Sequence, residues 1–274
     1  MHKKLYTKGA VRLSDAEVRQ AQLHILDCID EFCRKNAIPY SLSSGSLIGA
    51  VRHKGFIPWD DDIDILMLRK DYDRFLATFN GNYENLKTLD YISEPDYCQP
   101  FAKVMDMGTQ IVSGGNRIFC YGVNVDVFPV DGHPDGGSTP EYYRTFMELF
   151  RQLHKSCPLY RYTSNPFVAL KFLVRNIFHK GNREAAAKME EMLRSYDFDA
   201  CEYAGEATAD PYMKAIIPKE VFKSFADMPF EGRSISCLTD YHRYLSAYYN
   251  DYMKFPPVEE QKPQHRIKAY RISR

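Results

Sequence analysis

Apolar residues recur with a helical period near the start of the chain: Val18, Ala21, Ile25, Ile29 and Phe32 share one face. Ser14 and Glu17 precede them three residues apart. That is capping-box spacing, in which each side chain accepts the other residue's backbone N–H. The pattern predicts a helix over residues 15–35. A short apolar run at 39–43 reads as a strand ending in Ser44-Gly45-Ser46, followed at once by a short helix at 47–52. Alternation over 63–67 predicts another strand, and Tyr72, Phe75, Leu76 and Phe79 line one face of a helix at 70–79. Shorter strands are expected near 89–92, 101–105 and 123–128.

The texture changes after Pro129. Gly132, Pro134, Gly136, Gly137 and Pro140 mark a loop. Helical patterns follow at 140–155, 166–179, 183–196 and 238–248. This order predicts an α+β fold, a mixed sheet with flanking helices over residues 1–135, and a mainly helical C-terminal half over 136–274 packed on that core.

With 274 residues and 45% hydrophobic content, the chain can bury a sizeable core. Lys+Arg and Asp+Glu both number 36, so the formal net charge is zero. A protein that grips nucleic acid through its phosphates carries a basic excess, so a nucleic-acid partner is not expected. The seven cysteines are odd in number and form no C-x-x-C pair, which fits idle thiols in a reducing compartment. The N-terminus lacks an apolar signal core, and no stretch reaches the ~18 apolar residues of a membrane span. A cytoplasmic protein is expected, attached at most to the inner face of a membrane.

The chemistry concentrates at Asp60, Asp61, Asp62 and Asp64. Carboxylates this close repel one another unless a cation is present. On an extended chain, Asp62 and Asp64 point to one face while Ile63 and Ile65 point to the core. Two hard oxygen ligands side by side suit Mg²⁺, or Mn²⁺ in its place. Asp60 shares the parity but belongs to the preceding loop; Asp61 has the opposite parity and is expected to face elsewhere. Val123, Val125 and Val127 form an apolar face, leaving Asp126 as a third acid on a later strand. Upstream, Gly45-Ser46 joins a strand to a helix, where glycine permits close backbone approach and a helix start attracts phosphate. A glycine turn, an acid pair and a third acid together suit a diphosphate or triphosphate held through metal ions.

The run from Ser44-Gly45-Ser46 through Arg52-His53-Lys54-Gly55 to Trp59-Asp60-Asp61-Asp62-Ile63-Asp64 closely resembles the signature of the LicD family, which includes phosphocholine transferases and is related to fukutin and fukutin-related protein. The likeness continues more loosely through Lys103-Val104-Met105-Asp106 and Val125-Asp126-Val127-Phe128-Pro129, and ends at Tyr252-Met253-Lys254-Phe255-Pro256-Pro257 with His265. The resemblance implies a nucleotidyltransferase-like fold, with Asp62, Asp64 and Asp126 as catalytic metal ligands. It implies donor contacts from Gly45 and Ser46, and charge contacts from Arg52, His53, Lys54, Lys103 and His265. It further implies a CDP-alcohol donor, typically CDP-choline, a glycan or lipid-linked glycan acceptor shaped by the C-terminal half, and release of CMP. Nucleotide transfer onto a small molecule is the first alternative, and a catalytically silent nucleotide-binding module the second.

Some residues keep two readings. Trp59 either stacks on a ligand or, the favoured reading, anchors the acid-bearing loop. Asp131 either supports a metal ligand or forms a turn before Gly132, and the turn is slightly favoured. Residues 166–180 interleave apolar and basic positions. An amphipathic helix packed on the core is favoured there over one lying on an anionic membrane.

Overall fold

The computed structural model describes residues 9–94, 97, 99–113, 117–119, 121–134, 140–156, 160–163, 166–167, 170, 181–208, 214, 216–263 and 268–272. In chain order the elements are β1 (Val11–Arg12), α1 (Asp15–Lys35), β2 (Ser41–Leu42), α2 (Ser44–Ile48), a π-helical turn (Gly49–His53), β3 (Asp64–Leu68), α3 (Arg69–Thr78), β4 (Leu86–Leu89), β5 (Ala102–Asp106), β6 (Thr109–Ser113), β7 (Arg117–Phe119) and β8 (Asn124–His133). Then come α4 (Pro140–Ser156), β9 (Tyr160–Thr163), α5 (Gly181–Arg194), β10 (Tyr203–Gly205), β11 (Ile217–Pro218), β12 (Phe225–Phe230), β13 (Arg233–Leu238), α6 (Tyr241–Tyr249) and β14 (Lys268–Arg271).

The central sheet has the order β11-β10-β8-β3-β2, with β4 and β5 joined to β8 through β5. Among the described residues of this sheet only β3 and β8 run parallel, and the other pairs are antiparallel. A second sheet, β1-β14-β6-β7-β9, ties the two ends of the chain together. The α+β class and mixed sheet match the expectation from sequence. The C-terminal half is richer in helix than in strand, yet it also supplies β9 to β14.

Helix α1 forms where the pattern places it. Ser14 and Glu17 close the capping box in both directions. Its buried face (Ile25, Leu26, Ile29) is fully sequestered, at about 2 kcal/mol per side chain relative to exposure. Phe32 meets Phe75 and Phe79 of α3 edge-on, at 5.9 and 5.2 Å between ring centroids. The main apolar core draws on residues from Leu13 to Ala269, and so on both halves of the chain. A second core lies between α4 and α5, around Phe146, Leu153, Met189 and Leu193.

β8 runs on through Pro129 to His133 instead of ending near Phe128. The Asp126 N–H donates to the carbonyl of Ile63, just before β3. By strand alternation, position 129 faces the other edge. There β5 pairs only as far as Val127 and β10 begins at Asp131. The missing proline N–H therefore falls in a gap between two partners. The extension corrects the reading of Asp131, which is no turn-former. It is a buried strand residue whose two carboxylate oxygens accept from Arg69 at 2.6 and 2.7 Å. Arg69 also reaches Glu190 of α5 at 3.4 Å, and Glu190 in turn accepts from Arg194. Cys28, Cys33 and Cys237 are buried free thiols. Of the 166–180 segment, Phe167 and Leu170 are exposed and most of the rest lies outside the described residues. No helix among the described residues is long and apolar enough to cross a membrane.

Arg69→Met leaves Asp131 and Glu190 buried without their shared cation. Breaking one side of a buried ion pair costs roughly 3–5 kcal/mol. Urea denaturation should show a loss of that size, and a change under 1 kcal/mol would remove the ion cluster from the stability account.

Candidate active site

The sheet register sets the centre of the site. Asp64 on β3 lies directly opposite Asp126 on β8, and Asp126 lies opposite Lys103 on β5. Opposed residues project to the same face, so an acid, an acid and a lysine form one row across three strands. Lys103 Nζ donates to Asp126 Oδ1 at 2.5 Å, and Asn124 Nδ2 donates to the same oxygen at 2.6 Å. Asp126 Oδ2 receives no donor from the described residues. Lys103 is almost wholly buried, with its ammonium 4.9 Å above the Tyr121 ring. Burial holds the Asp64 carboxyl well above the ordinary carboxylate range. The Asp62, Asp126 and Asp60 charges push the same way, and Lys103 partly offsets them.

Strand β3 begins only at Asp64, so residues 60–62 belong to a loop and escape its alternation. Carboxylate oxygens of Asp60, Asp61 and Asp62 lie within 4.8 Å of one another. Asp61 therefore joins the acidic group instead of facing elsewhere, which corrects the expectation drawn from parity. Helix α1 holds this loop by its backbone. Arg19 Nη2 donates to the carbonyls of Pro58 and Asp60 at 3.0 and 3.1 Å. Gln22 Nε2 donates to the Asp61 carbonyl at 2.9 Å.

The Gly-Ser turn works on the acids from the other flank. A Cβ at Gly45 would stand 2.6 Å from Asp60 Oδ2. Glycine is thus required for Asp60 to lie against the turn. Ser46 Oγ accepts the Asp64 N–H at 2.9 Å, pinning the first residue of β3. Beneath the turn, Ser43 and Tyr244 hydroxyls both bond the buried Glu206 carboxylate, at 2.7 and 2.5 Å. Burial and that carboxylate together raise the Tyr244 phenol well above its usual range. Tyr249 at the end of α6 bonds Ser44 and feels the Asp64 and Asp60 charges. Neither tyrosine stands out in a chain with 20 of them, which is why sequence reasoning missed both.

The other expected contacts are placed differently. The Arg52 guanidinium donates to the Tyr252 carbonyl at 2.8 Å and lies 4.5 Å over the Phe255 ring. His53 meets Phe255 edge-on. Lys54 is exposed, in a left-handed conformation after the π-turn. Arg52 and His53 brace the 252–255 segment, while the Lys54 carbonyl accepts the Glu231 N–H. Trp59 packs partly buried against the main core and near Phe255, in keeping with an anchoring role. His265 lies outside the described residues.

Residues 37–109 match the model of the LicD/FKTN/FKRP nucleotidyltransferase domain. The chain is 34% identical over 270 residues to the lipopolysaccharide cholinephosphotransferase LicD of Haemophilus influenzae, an alignment covering 94% of this chain and 98% of that protein. The chain belongs to the LicD family. Uncharacterized proteins of Rickettsia typhi and Rickettsia prowazekii are 40% and 39% identical over 70 residues, about a quarter of their length. The family-model match contains Gly45, Ser46, Lys103 and the whole acidic loop, and stops before Asp126. Asp126 enters the site of this LicD-type enzyme by strand pairing alone.

The donor set fits a small divalent cation. It consists of carboxylate oxygens only, crowded enough for three to lie within 4.8 Å, with a half-buried fourth at Asp64. Gly45→Ala should fold near the parent melting temperature, because the carboxylate it meets can swing aside. It should lose most of its Mg²⁺-induced thermal shift, since Asp60 no longer seats on the turn; an undiminished shift would take Asp60 out of the site. A second expectation concerns pH. A carboxyl raised in the native state stabilises the metal-free protein below its unfolded pKa, and that stability is lost as pH rises through the folded pKa. Cation binding then expels the proton, so Mg²⁺ affinity should increase with pH. Calorimetry in buffers of different ionisation enthalpy reads the release directly. Proton-neutral binding at slightly acid pH would contradict it.

Proposed function

We propose that the chain moves phosphocholine from CDP-choline to a sugar hydroxyl of lipopolysaccharide or a related glycan precursor, with Mg²⁺ as cofactor and CMP as leaving group. What carries this reading is identity to the H. influenzae cholinephosphotransferase along nearly the full length of both proteins. The acid cluster around Asp64 supports it chemically.

In this reading Asp62 and Asp64 hold the cation, with Asp60 and Asp61 beside them and Asp126 opposite. Bound there, Mg²⁺ would supply charge neutralisation for the diphosphate. The start of the helical run at Gly45 and Ser46 binds the donor phosphates through backbone N–H groups. The acceptor hydroxyl oxygen attacks the phosphorus that bears choline, and the bond from that phosphorus to the CMP oxygen breaks. Asp126 Oδ2, left open while Lys103 and Asn124 secure Oδ1, takes the hydroxyl proton. Lys103 sits close enough to that carboxylate to share the charge of the reacting phosphoryl group.

Replacing Asp62 or Asp64 by Asn should lower CMP release from CDP-choline by about a hundredfold or more, and Asp126→Asn by roughly 10²–10⁴-fold. Chromatography of the products separates this chemistry from nucleotide transfer. Free CMP with a phosphocholine-bearing glycan is expected, whereas a cytidylylated acceptor would mean the other phosphorus is attacked.

A further inference from the structure

Two cavities meet along α1. The inner one, about 150 Å³, is bounded by Asp62, Asp126, Lys103 and the rings of Phe119 and Tyr121. The outer one, about 720 Å³, opens between the first turns of α1, the 58–61 loop and the edge formed by β1 and β14. Val18, Gln22 and Asp61 line both. The two are therefore chambers of a single cleft, and its inner end is the carboxylate with the open oxygen.

We propose that this cleft receives the acceptor saccharide, and that its outer chamber binds an oxyanion, a phosphate or carboxylate, carried by that saccharide. The assignment rests on the transferase reading above and adds to it the side of approach and the charge of the acceptor. Sheet order gives the side. The Gly45-Ser46 turn follows β2, and β2 borders β3 on the edge away from β8. Donor phosphates at that turn leave the β8 and β5 side, where Asp126 and Lys103 stand, to the attacking hydroxyl.

Charge gives the ligand class. Arg12 from β1, Arg19 from α1, Lys262 from the C-terminal segment and Lys268 from β14 converge on the outer chamber. The chain as a whole carries no net charge, so this is a local concentration. Arg12, Lys262 and Lys268 make no ion pair with the described residues. Three acids share these walls: Asp60 and Asp61 belong to the metal group, and Asp15 in the first turn of α1 offsets one of the four cations. The volume lies within the range of small-molecule sites, about 300–1,000 Å³.

The neck between the chambers carries a second sign of a ligand. Gln22 is 4% exposed. Its Nε2 is committed to the Asp61 carbonyl, and its Oε1 has no hydrogen-bond partner. A buried acceptor without a donor is costly, and a sugar hydroxyl passing the neck supplies that donor.

Trp59, the sole tryptophan, also walls the outer chamber, so its fluorescence reports occupancy. The protein is titrated with de-acylated core oligosaccharide of lipopolysaccharide, with its dephosphorylated form and with its carboxyl-reduced form. Saturable quenching by the intact oligosaccharide is expected, weakened at least tenfold by loss of one anionic group; the form that fails identifies phosphate or carboxylate. The doubly substituted variant Lys262→Glu/Lys268→Glu should weaken binding by at least tenfold, while Lys223→Glu, outside the cleft, should not. Melting temperature confirms that each variant folds. Equal binding by both neutralised oligosaccharides, unchanged binding by the double variant, no quenching at all, or displacement by CMP would each overturn the proposal. A thermal shift by CDP-choline with Mg²⁺ is measured in parallel. Its absence in the parent protein would sink the transferase reading and leave the oligosaccharide result standing on its own.

Discussion

Mutual repulsion among carboxylates is the constraint around which this molecule is arranged. Asp60, Asp61, Asp62, Asp64 and Asp126 converge where a loop enters β3 beside β8. No such group is comfortable without a cation. The surrounding structure resists its dispersal from three directions. Helix α1 grips the loop by its carbonyls through Arg19 and Gln22. The Gly-Ser turn gives Asp60 room on one flank and fixes Asp64 through Ser46 on the other. Lys103 and Asn124 secure Asp126. Almost all of these contacts act on backbone atoms or, at Asp126, on one oxygen of the carboxylate.

Cations near the acids divide by task. Lys103 is buried in the row itself. Arg19 spends its guanidinium on loop carbonyls and on the face of Phe56. Arg52 stabilises the 252–254 segment and the ring of Phe255. Arg12, Lys262 and Lys268 on the outer chamber differ from these in making no ion pair with the described residues. A chain of zero net charge thus carries a local cluster of cations beside its acids.

Much of this was legible in the sequence where a local rule governs. The capping box fixed the start of α1, and the run from Ser44 to Asp64 announced both the turn and the acids. Legibility ended where neighbours decide. Strand parity misplaced Asp61 because the strand starts three residues later. Pro129 suggested a strand end, but its missing N–H meets a gap between β5 and β10. In the β12–β13 hairpin, β12 lies largely open and its sequence, Phe-Ala-Asp-Met-Pro-Phe, shows little alternation, while in β13 only Ile235 and Cys237 alternate with serines, a run too short to stand out. Tyr244, Tyr249 and Glu206 meet Ser43 and Ser44 only through folding, from about 160 to 205 residues away.

β8 has one further property. It holds Asp126 near its start and Asp131 near its end, and Arg69 fastens the latter to Glu190 on α5. The six residues from Asp126 to Asp131 are one extended segment of that strand, so they can act as a short lever. Loosening of the α4–α5 pair would travel along it as a small displacement of the Asp126 carboxylate. Substitutions in those helices therefore have a physical route to the acid row, through Glu190, Arg69 and Asp131.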